Sequence, residues 1–290
     1  MDISVIGGDL RIVRLVEMYE AENDVLYTFG LEKYFESSSD QHKNLDNSSI
    51  KNIVLCDSIK EAMEHSKVII SGMPFSKDEI TVNAPFAKNK INIQDVKKEL
   101  DSKIFIAGGI PKDFYSDNIT NIDLLKDEAL TILNAIPTVE GTIKIAIEQR
   151  EETIHESNVL VCGFGRIGKI LCDRFKALGA NVYCAARKDS DFAWIREKSY
   201  IPIKYNEICE YATKFNIVIN TVPSLVITKK ELDCFRKDVL IIDVASNPGG
   251  IDKVYSEKLG INLITALGIP GKELPKSAGR YIKERIDALI

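Results

Sequence analysis

Few of the residues that commonly carry acid–base or metal chemistry occur in this sequence. It has three histidines and one tryptophan among 290 residues, and His42, His65 and His155 lie outside every recognisable motif. Its six cysteines show no Cys-x-x-Cys or other metal-ligand spacing, so we predict no metal site. Most of the cysteines fall in or beside apolar runs, where a free thiol packs as a small hydrophobe, and we therefore expect a reduced, cytoplasmic protein.

Signals for a membrane or a nucleic-acid partner are also missing. The N-terminal residues, Met1–Ile6, are predicted to form a strand and lack the basic start and apolar core of a signal peptide. No apolar run is long enough for us to expect a bilayer span. The formal net charge of −5, without a basic run, argues against nucleic-acid binding. With 45% hydrophobic and 28% charged residues, the composition is that of a soluble protein large enough for two domains.

The most informative motif that is present is Gly163-x-Gly165-x-x-Gly168. It lies between a short apolar run, typical of a buried strand, and apolar residues at helical spacing. In a dinucleotide-binding turn the first glycine makes the tight turn, the second lets the backbone approach a pyrophosphate, and the third lets helix and strand pack closely. We predict that the whole turn contacts the cofactor, through Gly163, Phe164, Gly165, Arg166, Ile167 and Gly168. A purely structural glycine turn is the alternative.

Two basic residues, Arg187 and Lys188, follow the next predicted strand. An NAD-preferring site usually has an acidic residue about twenty positions after the glycines, where it accepts hydrogen bonds from the ribose hydroxyls. A guanidinium suits the 2′-phosphate of NADP instead. We therefore predict NADP, with NAD as the alternative if Arg187 is a solvated loop residue and Asp189 reaches the ribose.

Strands alternate with helices along the whole chain, which predicts an α/β fold. We predict four segments. A smaller N-terminal α/β domain (1–135) leads through a connecting helix (136–155), beginning at Pro137, to a Rossmann NADP-binding domain with a doubly wound parallel sheet (156–275). A C-terminal helix (276–290) is expected to cross back to the first domain.

Loops after the later strands of the Rossmann domain are expected to face the nicotinamide end of the cofactor, since ligands bind at the carboxyl ends of parallel strands. These loops follow Asn220, Asp243 and Thr265. The first of them adds three predicted cofactor contacts, Thr221, Val222 and Pro223. In the N-terminal domain the polar segment 36–49 is predicted to be a mobile loop.

Five further motifs resemble one family in the order in which they occur. They are Gly7-Gly-Asp-x-Arg11, Asn134-x-Ile-Pro-Thr-Val-Glu-Gly-Thr142, Ile219-Asn-Thr-x-Pro-Ser224, Asp243-x-Ala-Ser-x-Pro-Gly-Gly250, and Gly268-x-Pro-Gly271 with Pro275-Lys-x-Ala-Gly279. Together they are similar to the A subunit of bacterial dipicolinate synthase, and the resemblance covers essentially the whole chain. Asn247 and Leu274 depart from the residues usual in that family.

The resemblance implies an activity and a partner. The activity is an NADP-linked oxidation of a dihydrodipicolinate, made from a lysine-pathway intermediate, to dipicolinate. The partner is a flavoprotein-like B subunit, and the location is the cytoplasm of the mother cell of a sporulating bacterium. A homo-oligomer is also possible.

The expected substrate is a small dicarboxylate, so cations near glycine-rich strand ends are candidate ligands. We predict substrate contacts in a cleft between the two domains, from Gly8, Asp9, Arg11, Thr138, Gly249 and Lys272. Arg11 could equally pair with a nearby acid, and Lys272 could be exposed to solvent. No catalytic residue is assigned: Lys272, Glu140 and Asp243 are candidates, and either carboxylate could instead cap a helix or fix a loop.

Two other functions fit the two-domain plan less well. An alanine or 2-hydroxyacid dehydrogenase usually has a catalytic histidine in the nucleotide domain, and no histidine follows His155. A non-enzymatic nucleotide-sensing module would need an effector surface or a DNA-binding element, and neither is recognisable.

Overall fold

The structure is a computed structural model that describes residues 2–41 and 51–290. The chain divides into two compact units, Met1–Leu133 with Leu274–Ile290, and Asn134–Glu273. The strands are β1 (Asp2–Ile6), β2 (Val25–Phe29), β3 (Ile53–Leu55), β4 (Val68–Ser71), β5 (Lys103–Ala107), β6 (Ile119–Asp123), β7 (Asn158–Cys162), β8 (Asn181–Ala186), β9 (Ile201–Lys204), β10 (Ile217–Asn220), β11 (Leu240–Asp243) and β12 (Asn262–Thr265).

Helices follow most of these strands. They are α1 (Leu10–Ala21), α2 (Glu32–Gln41), α3 (Ile59–Glu64), α4 (Ile93–Lys98), α5 (Glu128–Glu148), α6 (Arg166–Ala177), α7 (Asp189–Glu197), α8 (Ile208–Tyr211), α9 (Lys229–Cys234), α10 (Lys253–Leu259), α11 (Ile269–Lys272) and α12 (Pro275–Asp287). The alternation of strand and helix is the pattern that produces parallel sheets.

Each unit contains one six-stranded sheet, and the two sheets have the same strand order. The first is β3-β2-β1-β4-β5-β6 and the second, read from its other edge, is β9-β8-β7-β10-β11-β12. Neighbouring strands are parallel throughout both sheets. This is the doubly wound order, in which the chain reverses direction at the first and fourth strands. The predicted α/β class with a Rossmann-type C-terminal domain is confirmed.

The sheet of the second unit is covered on both faces. All residues of β10 and β11 are buried, as expected for strands with helices on each side. Alternate residues point into separate cores: Val161 and Ile219 belong to one cluster, and Leu160 and Val218 to the other. Since both faces are closed, a ligand can reach the sheet only at the ends of its strands, and doubly wound sheets bind ligands at the carboxyl ends.

The C-terminal helix α12 is part of the first unit, where it packs on α1. A Cβ atom built at Gly279 would lie 2.6 Å from the Arg11 carbonyl oxygen, so the two helices approach to backbone contact and leave no room for a side chain. An ion pair between Arg285 and Asp127, with 2.8 Å between nitrogen and oxygen, fixes the far end of α12. The Arg285 guanidinium is also the main reason that the pKa of Asp127 is lowered.

The helix predicted to begin at Pro137 begins earlier, at Glu128, and ends at Glu148. Pro137 therefore lies inside α5 and not in its first turn, and that prediction was wrong. Proline removes one backbone donor from a helix. The next turns add side-chain bonds to the ladder, because the Thr138 hydroxyl donates to the Asn134 carbonyl at 3.0 Å and Thr142 to the Thr138 carbonyl at 2.7 Å.

Two other local predictions differ from the structure. Strand β6 was not predicted, because its five residues include only two isoleucines, which are three positions apart and so do not show the alternation typical of a strand. The segment 36–49 was predicted to be a loop, but α2 continues through Gln41; the remainder, together with His42, lies outside the described residues.

Helix α5 also bears on the prediction that no apolar run could span a bilayer. By length and composition alone α5 is apolar enough to do so, although 44% of the relevant window is buried inside the structure. The core helix of a soluble protein has the same properties. Within residues 2–41 and 51–290, α5 is the single helix that is long and apolar enough to cross a membrane.

The cysteines do not all remain free thiols. Cys209 of α8 and Cys234 of α9 are joined in a disulfide, with 5.4 Å between their Cα atoms, so the prediction of a fully reduced protein is wrong for this pair. Sequence spacing could not predict it, because the two helices meet only through the packing of the second unit. The other four cysteines are free and buried: Cys56, Cys162, Cys172 and Cys184.

Candidate functional site

The predicted cofactor residues lie at one edge of the second sheet. Its strands are parallel, so their carboxyl ends all point to that edge. Five loops meet there, and they start at Gly163 after β7, Arg187 after β8, Thr221 after β10, Val244 after β11 and Ala266 after β12. This edge is the position at which doubly wound sheets bind nucleotides.

The turn from β7 to α6 has the geometry of a phosphate-binding turn. Gly163 has a φ of +101°, and its N–H donates to the Ala185 carbonyl of β8 at 2.9 Å. Gly165 is the N-cap of α6 and carries no capping side chain. A Cβ atom built at Gly165 would have no neighbour within 4 Å, so the helix N-terminus opens onto free space that suits a pyrophosphate.

Gly168 explains why the helix can start so close to the strand. A Cβ atom at this position would lie 2.9 Å from the carbonyl carbon of Gly163 and nearer still to its oxygen. Both are backbone atoms and cannot move aside as a side chain could. Gly163 and Gly168 thus have the turn and the close packing that the sequence pattern predicts, whereas contact between Gly165 and a pyrophosphate stays a prediction.

The loop after β10 packs against this turn. The Thr221 hydroxyl donates to the Cys162 carbonyl at 2.9 Å, and the Val222 N–H donates to the Asn220 amide oxygen at 3.1 Å. A Cβ atom at Gly163 would lie 2.9 Å from a methyl group of Val222. Thr221 and Val222 are therefore held beside the glycine turn, and Pro223 follows at the surface.

Asp243, at the end of β11, organises the next loop. Its side chain is fully buried and accepts three hydrogen bonds, from Asn220 Nδ2 at 2.9 Å, the Ala245 N–H at 3.2 Å and the Gly250 N–H at 3.1 Å. Gly249 has a φ of +86°, and a Cβ atom there would lie 2.7 Å from Asp243 Oδ2. Both oxygens are engaged, which is the arrangement expected of a carboxylate that fixes a loop.

Two lysines stand at this end of the second sheet. Lys272 ends α11 and is exposed, while Lys253 begins α10 and is half-buried. The Lys253 Cε would lie 3.8 Å from a Cβ atom built at Gly249. Neither ammonium group has a hydrogen bond or ion pair to a residue within the described ranges. Sequence reasoning missed Lys253; the available signal was a cation three positions after Gly250.

Helix α5 packs against the turn that carries Lys272. A Cβ atom at Gly141 would overlap with the Ile269 side chain, and Lys144 pairs with Glu273 at 2.6 Å. The Thr138 hydroxyl is used inside α5, and Glu140 is exposed on its surface. The motif in α5 and the motif of α11 therefore meet in the second unit.

Arg187 and Lys188 are both exposed at the end of β8. Lys188 is the N-cap of α7, and Asp189 is the first residue of that helix. Neither basic side chain bonds to any residue in the described part of the chain. The choice between NADP and NAD stays a prediction that rests on these two residues and Asp189.

The candidates of the first unit follow β1. The Gly8 N–H donates to the Asn83 carbonyl at 2.9 Å, and Asp9 caps α1 by accepting from the Arg11 N–H at 3.0 Å. The Arg11 guanidinium binds both oxygens of Asp9, at 3.0 Å and 2.7 Å, and also donates to the Met73 carbonyl. In the structure Arg11 thus pairs with a nearby acid, Asp9, which was the alternative to substrate binding. Substrate binding by Arg11 stays a prediction and would have to use the N–H groups left over.

The fold and the glycine turn together define a class of protein. A doubly wound parallel sheet with an open glycine turn after its first strand is typical of a dinucleotide-binding domain. Residues 138–248 match the family model "D-isomer specific 2-hydroxyacid dehydrogenase, NAD binding domain". The protein is therefore a dehydrogenase-type oxidoreductase that binds a nicotinamide dinucleotide.

The particular family follows from the rest of the chain. Residues 2–124 match the family model of the N-terminal domain of the dipicolinate synthase A subunit. The whole chain is 32% identical over 297 residues to the dipicolinate synthase A subunit of Bacillus subtilis (strain 168), covering 100% of this chain and 96% of that protein. The chain belongs to the family of dipicolinate synthase A subunits, and the resemblance seen in its motifs is confirmed.

Two solved structures of this family have the same fold. The crystal structure of the dipicolinate synthase A subunit from Bacillus subtilis superposes with a TM-score of 0.83 at 30% identity, covering 100% of this chain and 95% of that one. The corresponding protein from Bacillus halodurans gives a TM-score of 0.83 at 27% identity, covering 99% of this chain and 97% of that one. The names of these relatives describe them as one subunit of a dipicolinate synthase.

Proposed function

We propose that this protein oxidises a dihydrodipicolinate, made from a lysine-pathway intermediate, to dipicolinate with NADP, and that it acts together with a B subunit. The observation that carries the proposal is an open dinucleotide-binding turn in a chain that is 32% identical over its full length to a dipicolinate synthase A subunit. Localisation in the cytoplasm of a sporulating mother cell belongs to the same proposal.

The reaction requires little acid–base chemistry from the protein. The bound nicotinamide would accept a hydride from the substrate ring. A proton leaves the ring to solvent, and aromatisation supplies the driving force. The protein has to orient the reacting carbon and bind the two carboxylates. Among the described residues, the loops at the carboxyl edge of the second sheet contain no histidine, which is compatible with a reaction that needs little acid–base chemistry.

The residues proposed for the cofactor remain those of the glycine turn, the basic pair after β8 and the loop after β10. For the substrate we propose Lys272 and the Gly249 loop, with Lys253 as an additional cation. A carboxylate bound near an ammonium group that has no partner of its own gains a charge-assisted hydrogen bond without breaking one. Glu140 and Thr138 stay candidates on α5, as do Gly8 and Asp9 in the first unit.

The test of the proposed function is an assay for dipicolinate. Purified protein, by itself and with the B subunit, would be mixed with the dihydrodipicolinate precursor and NADP. We expect ultraviolet-absorbing dipicolinate and NADPH to appear in equal amounts. Reduction of NADP by D-lactate or L-alanine, with no dipicolinate formed from the precursor, would overturn the proposal.

The substrate cations can be tested by steady-state kinetics of Lys253→Ala and Lys272→Ala. A hydrogen bond to a charged group contributes about 1.5–3 kcal/mol, so we expect kcat/KM for the dicarboxylate to fall roughly 10- to 150-fold in each variant, mostly through KM. NADP affinity should be nearly unchanged. Lys258→Ala, an exposed lysine on α10, is the matched control. Wild-type kinetics in both variants would show that backbone amides hold the carboxylates.

The cofactor preference can be tested with Arg187→Ala. We expect wild-type protein to bind NADP more tightly than NAD and the variant to lose roughly 10- to 150-fold in NADP affinity, since one bidentate charged contact is removed. NAD affinity should change little. Titration calorimetry with both cofactors measures the difference, and equal affinities in the wild type would contradict the preference.

A further inference from the structure

Tyr205 follows β9 at the edge of the second sheet, beside the end of β8. The parallel register pairs Ala185 with Ile203 and Ala186 with Lys204, so Arg187 and Tyr205 are the next residues in the same two rows. We propose that Tyr205 is a specificity residue whose hydroxyl, together with the Arg187 guanidinium, binds the 2′-phosphate of NADP. This inference rests on the proposed use of NADP.

The alternation of side chains places both residues on one face. Successive residues of a strand point to opposite faces, and Ala185 and Ile203 belong to the core cluster on one side of the sheet. Tyr205 packs against that same cluster. Arg187 is two positions after Ala185, as Tyr205 is after Ile203, so the alternation directs it to the same side.

The Arg187 guanidinium and the Tyr205 hydroxyl are both available to donate hydrogen bonds to a ligand. Among the residues that the structure describes, neither the Arg187 guanidinium nor the Tyr205 hydroxyl has a hydrogen bond. The tyrosine ring is partly buried against the core cluster on that side of the sheet. The nearby acid Glu207 is already engaged, because its carboxylate accepts the Lys204 N–H at 3.1 Å. An arriving anion therefore meets two donors that have no acceptor among the described residues.

The electrostatics agree with this placement. Burial is the main reason that the pKa of the Tyr205 phenol is raised above its ordinary value, and the nearby Cys162, Cys184 and Asp191 act in the same direction. The Arg187 charge acts in the opposite direction. The two side chains are thus close enough to influence each other. Because the net change is upward, the phenol stays protonated at neutral pH and remains a hydrogen-bond donor to a phosphate.

The position also identifies the ligand group. In doubly wound domains the end of the second strand lies at the adenosine ribose, where NAD presents a 2′-hydroxyl and NADP a phosphate. A guanidinium and a phenol are both donors, which suits a phosphate dianion. A ribose hydroxyl pair is instead usually held by an acceptor such as Asp or Glu.

The experiment compares Tyr205→Phe with wild type, Arg187→Ala and Tyr211→Phe. Tyr211 carries another partly buried ring of the same cluster, so its variant controls for the loss of a hydroxyl. The probes are 2′,5′-ADP, 5′-AMP, NADP and NAD, titrated by calorimetry on the full chain, with thermal unfolding of each variant. We expect Tyr205→Phe to bind 2′,5′-ADP and NADP about tenfold more weakly, with 5′-AMP and NAD unchanged.

Each other outcome is informative. Equal weakening of 2′,5′-ADP and 5′-AMP would assign Tyr205 to the adenosine in general and overturn the inference. Loss of NADP affinity in Arg187→Ala but not in Tyr205→Phe would overturn the role of Tyr205 while leaving NADP use intact. Wild-type protein that binds 5′-AMP as tightly as 2′,5′-ADP would instead overturn the NADP preference itself.

Discussion

Replacing Gly168 with alanine is expected to weaken the binding of both nicotinamide dinucleotides strongly. The added Cβ would lie 2.9 Å from the carbonyl carbon of Gly163 and closer to its oxygen, so α6 must move away from the turn that holds the pyrophosphate. Overpacking of this kind costs on the order of 1–3 kcal/mol of stability. We expect the affinity for NADP and NAD to fall by roughly a hundredfold, equivalent to about 2.8 kcal/mol, when measured by calorimetry.

Gly165→Ala is the matched control for this experiment. A Cβ atom there meets no neighbour within 4 Å, so the variant should unfold at the wild-type temperature. Its methyl group would nonetheless occupy the space that a pyrophosphate needs, and affinity should fall while stability does not. If Gly168→Ala kept wild-type affinity for both cofactors, the turn between β7 and α6 would not be the phosphate site.

The second large effect is expected at Asp243. Truncation to alanine would leave three buried donors without an acceptor: the Asn220 amide, the Ala245 N–H and the Gly250 N–H. Each unsatisfied buried group costs about 1–3 kcal/mol, so for three groups we expect a loss of about 3–9 kcal/mol in the free energy of unfolding. Denaturant unfolding monitored by circular dichroism measures it.

Two further variants separate loop organisation from proton transfer. Asp252→Ala removes the acceptor for the Tyr255 N–H at the start of α10, an ordinary helix cap, and should cost only about 1 kcal/mol. Asp243→Asn keeps the shape but turns one acceptor into a donor, and it should also be destabilised. An Asp243→Asn protein of wild-type stability that had lost turnover, with a changed pH profile, would make Asp243 the proton acceptor and contradict the loop role.

The sequence predicted the glycine turn and the fold class because both depend on local patterns. Gly163, Gly165 and Gly168 stand at a junction between strand and helix periodicity, and that junction is visible in the sequence alone. The N-terminus of α5 was missed for the converse reason. Proline at a first helical turn is the common pattern, and only tertiary packing tolerates Pro137 in the interior.

The missed residues share a different cause. Lys253, Tyr205 and the Cys209–Cys234 pair are defined by neighbours that are distant in sequence, and a single chain without its fold carries no signal for such pairs. Asp243 shows the same limit in another form. Its position at a strand end was evident, whereas the three donors that surround it became known only from the structure.

The identical strand order of the two units has a consequence for how many nucleotides one chain can hold. In both units the glycine after the first strand donates to the second strand, Gly7 to Phe29 at 2.8 Å and Gly163 to Ala185 at 2.9 Å. In the first unit, however, the Asp9 carboxylate caps the start of α1. In the second unit, Gly165 leaves the start of α6 without a capping side chain. The two sheets thus have the same strand order, but in the first unit the Asp9 carboxylate occupies the helix start at which a phosphate would bind. We therefore expect a stoichiometry of one dinucleotide per chain.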